Sequence, residues 1–252
     1  MLAKISLGAI ACMMAVSSGC VNTSKAIERG YLVSTAEIAD NVDSFVGQSV
    51  SVRNDIVKTI GTNGFILDQD SVLNGETILV IDPSQTSVSV SNDKTPEVIV
   101  SGTVEKLDLT QLAQKHDLNL DRDLYSQYEG KPAVVATSVI LSPDPEDLTK
   151  HPELYYDRPL AIQGEVDDIE SYGVFEIDEE AAFGGEDLIV VQQKPIELEE
   201  EQNVIIYGVL RPFIAEEFKR DYNFDWDLAT QEQLKSKYDR KPVFVAEKIQ
   251  VQ

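Results

Sequence analysis

Two short stretches of alternating oxygen side chains carry the sharpest chemistry in this chain. DLNLDRD, from Asp117 to Asp123, and DYNFDWD, from Asp221 to Asp227, both read D-x-N-x-D-x-D. Asp117, Asn119, Asp121 and Asp123 in the first, and Asp221, Asn223, Asp225 and Asp227 in the second, set hard oxygen donors at every other position. A calcium ion takes that donor set, and Glu232 stands where a calcium loop of the EF type carries its closing carboxylate. The glycine of the sharp turn in such a loop is replaced by Arg122 and Trp226, and Tyr128 sits at the closing position of the first stretch. The same residues suit another role. Asp121 and Asp227 precede helical segments whose first-turn N–H groups accept a carboxylate cap, with Leu118, Leu120, Phe224 and Trp226 turned inward. Calcium binding and helix capping are both open on the sequence.

Other carboxylates are abundant: Asp167 with Asp168, Asp178 with Glu179 and Glu180, and Glu186 with Asp187. General acid and base work needs one pair set apart by its surroundings, and no pair here is singled out. The nucleophile elbow GxSxG, the phosphate loop GxxxxGK, GxGxxG and HExxH are all missing. The two histidines, His116 and His151, with the two cysteines, cannot assemble the common Cys and His zinc sites. The expectation is a protein that is not an enzyme.

The elements that would position these residues begin after an export signal. MLAKISLGAIACMMAVSSGC has one positive charge at Lys4, an apolar run from Ile5 to Val16 and small residues before Cys20. The run is too short to span a bilayer. Its ending resembles the bacterial lipoprotein signal, with Ser17 where leucine is commoner. That resemblance implies cleavage before Cys20, lipidation of its thiol and anchoring in the cell envelope, periplasmic or at the outer surface. Ordinary cleavage nearby would leave Cys20 a free thiol. Cys12 would leave with the signal, so the mature chain would have no internal disulfide. Acidic residues outnumber basic ones 44 to 21, a net charge of −23. Such a surface repels phosphate backbones, so the charge opposes nucleic acid as a partner. A cationic ligand or protein partner, or plain solubility, fits the sign.

The chain also repeats itself. YEGKPAVVA at Tyr128 returns as YDRKPVFVA at Tyr238, a shift of 110. The same shift aligns Val50, Val52, Ile56, Phe65, Leu67 and Ile78 with Leu160, Ile162, Val166, Phe175, Ile177 and Leu188. VIVSGTV at Val98 matches VIIYGVL at Val204 with a shift of 106, so loop lengths differ by four residues there and recover before the last strand. The organisation predicted is a signal peptide over 1–19, an anchor linker over 20–33, and tandem copies over 34–142 and 144–252. Ser34 with Glu37 predicts a capping box, and Asp144 with Pro145 starts the equivalent helix.

Each copy reads as a leading helix, five apolar-patterned strands and a helical insertion before the last strand. The strands of the first are SVSVRNDIVKT, GFILDQD, ILVID, EVIVSGTVEKL and PAVVATSVIL. A mainly β fold with helices follows, as two small closed barrels, each with a first strand that bends at a glycine such as Gly164. A β-sandwich or another Greek-key barrel is the alternative. The strand order resembles the OB-fold, as found in periplasmic bacterial OB-fold proteins, although the helix falls between strands four and five and not three and four. The signal, the duplication and the lack of catalytic motifs point together to a lipid-anchored binding or interaction protein with an acidic surface toward a protein partner or cationic ligand. A calcium- or other cation-binding envelope protein is the second reading, and an OB-type nucleic-acid binder, opposed by charge, the third.

Overall fold

The computed structural model describes residues 32–68, 77–86, 88, 95–170, 173–178, 187–192, 194, 196–222 and 226–252. The fold is mainly β with helices. Helices α1 (Thr35–Asp40) and α2 (Val42–Phe45) lead into β1 (Ser49–Ile60), β2 (Gly64–Asp68), β3 (Ile78–Ile81) and β4 (Glu97–Lys106). Helices α3 (Leu109–His116) and α4 (Arg122–Tyr125) then precede β5 (Pro132–Leu141). Helix α5 (Pro145–Lys150) opens the second half, followed by β6 (Pro159–Ile169), β7 (Val174–Asp178), β8 (Leu188–Gln192) and β9 (Asn203–Pro212). Helices α6 (Ala215–Tyr222) and α7 (Leu228–Tyr238) stand before β10 (Pro242–Val251).

The first five strands close into a barrel. β1 pairs antiparallel with β2 and β4, β2 with β3, and β4 with β5, and a parallel seam of β3 on β5 completes the circuit. Closure leaves no sheet edge to recruit another chain. The next five strands follow the same order of partners: β6 with β7 and β9, β7 with β8, β9 with β10, and β10 parallel to β8. In both circuits a glycine lies where the fourth strand crosses the fifth. A Cβ at Gly102 would come 2.3 Å from the Val135 carbonyl oxygen, and one at Gly208 2.0 Å from that of Val245. Only glycine lets backbones approach so closely.

Two apolar layers explain the continuous runs. Val52, Leu67, Val80, Val100 and Val134 face the inside of the first barrel, while Ile66, Leu79, Ile81 and Val135 face outward beneath Leu107, Leu109, Leu112 and Tyr125. β3 is therefore buried at all four positions, and ILVI cannot alternate with polar residues. In the second half Val174, Ile189, Val191, Val243 and Val245 are covered by Phe213, Phe218, Trp226, Leu234 and Tyr238. Each fully buried side chain of this size contributes about 1.5–3 kcal/mol.

Some local details meet expectation and others differ. Ser34 caps as predicted, accepting from the Glu37 amide at 3.0 Å. Asp144 with Pro145 at the first helical position starts α5 as predicted, and the Asp144 carboxylate accepts from Arg53 Nη2 at 2.7 Å rather than from a first-turn amide. The charge-assisted bond to a guanidinium outcompetes a backbone amide. The long first strands carry register irregularities between Ile56 and Lys58 and between Val166 and Ile169, and Gly164 lets Ile177 approach to where a Cβ would lie 2.3 Å away. Phe213 and Ile214, which the apolar spacing with Phe218 assigns to the helix of the second copy, precede α6, and Phe218 alone lies within it.

Arg53 also ties the halves together. Its guanidinium reaches Glu97, the Ser142 hydroxyl and the Ser142 carbonyl at 2.8, 3.0 and 3.3 Å. Beside it Ile99 packs against Ala161 and Ile205, with Ile140 and Tyr207 at the margin. Burial, then the neighbouring Asp144 carboxylate, raises the Asp55 carboxyl above its ordinary range against the pull of Arg53.

Candidate functional site

A cleft of about 340 Å³ opens beside α7 in the second half. Glu176 on β7, Asp187 and Ile189 at the start of β8, and Lys237 and Tyr238 at the end of α7 line it, with Lys241, Pro242 and Thr149 at its rim. The elements set these positions by simple rules. Strand alternation puts Glu176 and Asp178 on the outer face of β7, opposite in direction to Phe175 and Ile177. Glu176 lies across from Ile189 in the antiparallel register. Helix α7 begins at Asp227, whose side chain accepts from the Thr230 amide at 2.8 Å, and runs eleven residues to Tyr238.

A charge network closes the inner wall. Tyr238 donates its hydroxyl to Glu170 Oε1 at 2.8 Å, and Lys237 donates to the same oxygen while lying 3.6 Å from Glu176. Glu170 and Glu176 are about one-fifth exposed. Burial pushes Glu170 upward, but the hydrogen bonds from Lys237 and Tyr238 outweigh it, and its carboxyl ends below the usual carboxylate range. The Glu170 contact raises Lys237. Burial, opposed by the Lys237 hydrogen bond and aided by Glu170, pushes the Tyr238 hydroxyl up to about 12. Asp187 is also raised, by burial first and then by Asp178 and Asp167. The cleft thus holds ionised groups of both signs beside apolar Ile189 and Pro242.

A second concavity, about 390 Å³, lies in the first half between the β1–β2 turn and the segment after β3. Its polar floor is Asn63 and Asp82, both 4% exposed. The Asp82 carboxylate accepts from the amides of Ser84 and Thr86 at 2.9 and 2.6 Å, which shapes the turn. Gln192 does the same work at the end of β8, accepting from the Ile196 amide at 2.7 Å. Both buried polar groups have a structural task in the turns after their strands.

The residues singled out by the sequence fall in several places. In the first heptad Asp117 adopts a left-handed conformation at the end of α3, with φ 54°. Asn119 and Asp121 lie in the connection, Asp121 accepts from the Asp123 amide at 2.9 Å as N-cap of α4, and Asp123 is inside that helix. In the second, Asp221 sits in α6 against Arg220 and Arg211, Asp227 caps α7, and Glu232 is exposed on α7. Asn223 and Asp225 lie outside the described residues, as do Phe224, Glu179, Glu180, Glu186 and Cys20. Among the described residues no three His, Cys, Asp or Glu side chains converge as a metal site requires. Asp121 and Asp227 are the helix caps that the sequence allowed, and Leu118, Leu120 and Trp226 pack inward. Also among the described residues, no helix is long and apolar enough to cross a membrane.

Sequence reading missed Glu170, Glu176, Lys237 and Tyr238 as a group. A signal was there: the 110-residue shift places Glu170 and Glu176 against Ile60 and Ile66, carboxylates where the first half carries buried isoleucine. Comparison with known proteins finds no matching family and no matching curated protein.

Proposed function

We propose that this chain is an exported, lipid-anchored binding protein of two tandem OB-like modules, 34–142 and 144–252, whose acidic surface meets a protein partner or cationic ligand. The duplication is supported by the strand starts: Ser49, Gly64, Ile78 and Pro132 are each followed 110 residues later by Pro159, Val174, Leu188 and Pro242, with the same partners in the sheet. Two copies of one ancestral unit are the economical source of that recurrence. Lipidation at Cys20 would hold both modules at an envelope membrane.

One observation carries the binding reading. The outer face of β6, β7 and β8 sets Glu165 opposite Asp178 and continues to Asp187, one position before the Ile177–Leu188 pair, with Asp167 and Glu176 alongside. Like charges facing each other across strands cost stability. A cationic surface docked there would offset that repulsion and explain why the face keeps its charge. Titration of the purified protein with hexalysine by calorimetry tests this: binding should weaken as salt rises and fall in Asp167→Asn/Asp178→Asn. No heat at low salt, or equal affinity in the double variant, contradicts it. For the anchor, Cys20→Ser should abolish fatty-acid labelling.

A further inference from the structure

We propose that the cleft beside α7 is a binding site for a small zwitterion, an ammonium and a carboxylate a few ångströms apart as in a free amino acid or short peptide. The inference goes beyond the anchored-partner reading and does not depend on it. It starts from strand register. β8 and β10 run parallel with Ile189 level with Val243, so two residues earlier Asp187 is level with Lys241. Neighbouring strands lie about 4.8 Å apart, close enough for a direct ion pair. None forms: neither Asp187 nor Lys241 makes an ion pair with any described residue, although both line the same cleft.

The other charges of the cleft are already committed. Lys237 is held by Glu170 and faces Glu176, and Tyr238 donates to Glu170. Among the described residues that leaves one acceptor and one donor of opposite sign, Asp187 and Lys241, lining the cleft together with Ile189 and Pro242. The ammonium of a zwitterion would meet Asp187 and its carboxylate Lys241, and the Thr149 hydroxyl, which donates to the Glu146 carbonyl at 3.0 Å, has only its acceptor side to offer the ammonium. Burial and the nearby Asp178 and Asp167 disfavour the ionised form of Asp187, an effect that an ammonium beside it would oppose. The volume falls in the range of small-molecule sites. The first half provides an internal control. Its register puts Thr77 level with Lys131, so the opposed charge is absent.

The test is titration of the ¹⁵N-labelled protein with alanine, lysine, glutamate and the dipeptide Ala-Ala, followed by amide shifts. Saturable shifts are expected at residues 187–189 and 241–243. Alanine methyl ester, which lacks the carboxylate, and N-acetylalanine, which lacks the ammonium, should each bind at least tenfold more weakly, as should alanine to Asp187→Asn or Lys241→Met. Lys131→Met should bind as the parent does. The amino acids and the dipeptide separate a free amino acid from a peptide as the source. Absence of saturable shifts at millimolar zwitterion, or unchanged affinity in Asp187→Asn and Lys241→Met with a folded spectrum, overturns the proposal. Hexalysine binding that survives that result would leave the acidic-surface reading standing.

Discussion

The helical insertions of the two halves solve one packing problem with different chemistry. In the first, Tyr125 enters beneath the insertion and donates to the Ile60 carbonyl oxygen at 2.6 Å, next to Gly64, where a Cβ would lie 2.7 Å from the tyrosine oxygen. The space is closed and the partner is backbone. In the second, Tyr238 donates to the Glu170 carboxylate, which stands 110 residues after Ile60, and Lys237 and Glu176 join it at the wall of an open cleft. A buried isoleucine contributes by burial alone, whereas a half-buried carboxylate has to be compensated by partners. Positions where a fold sets local stability aside are where function is to be sought.

The largest effect that sharpens the contrast is truncation of the buried tyrosine. Tyr125→Ala should cost about 3–5 kcal/mol in denaturant unfolding, as large aromatic deletions in cores do. A loss below about 1 kcal/mol would mean that the first insertion is not packed as described. Next comes removal of the hydroxyls alone. Tyr125→Phe leaves a buried carbonyl without its donor and should cost about 1–3 kcal/mol. Tyr238→Phe leaves Glu170 its lysine, so its cost should be the smaller of the two, and equal losses would erase the distinction.

Acid should act on the second half through Glu170. Its folded carboxyl lies below the unfolded value of about 4.5, so the stability it contributes is present above that pH and is lost as pH falls through the folded value. Glu170→Gln should therefore lose stability at neutral pH and flatten the acid limb of the unfolding profile; an unchanged limb would show that the Lys237 contact is weak. Arg53→Met removes charge-assisted bonds worth about 1.5–3 kcal/mol and frees Asp144, and a single thermal transition should broaden or split as the halves uncouple. Smallest are the caps. Asp227→Ala should lower the unfolding midpoint measurably through loss of the cap, and Asp121→Ala less, since α4 is four residues long against eleven for α7.

Much of the strand layout was legible because β-branched runs with turn residues between them leave little freedom. SVSVRNDIVKT and ILVID each end within one residue of their strands, whereas the close crossings at Gly102 and Gly208 carried no local signal. Asp121 and Asp227 were legible as caps because capping is local, one to three residues away. The cleft was not, since Glu170 and Lys237 are 67 residues apart and meet only once β7, β8 and α7 have packed. The Arg53–Asp144 pair was hidden for the same reason: its members are 91 residues apart. Local rules assign elements, and long-range pairing assigns side chains to one another.

Closure of the strand circuits underlies the whole account, and residue-resolved amide hydrogen exchange tests it most directly. The parallel seams join Leu79, Val80 and Ile81 to Ala133, Val134 and Val135, and Ile189, Val190 and Val191 to Val243, Phe244 and Val245. Closed circuits predict that the buried amides along both seams exchange only through large-scale opening, as slowly as those of the β1–β4 and β6–β9 pairs. Rapid exchange along either seam, with the other pairings protected, would show an open sheet in that half and contradict the architecture described.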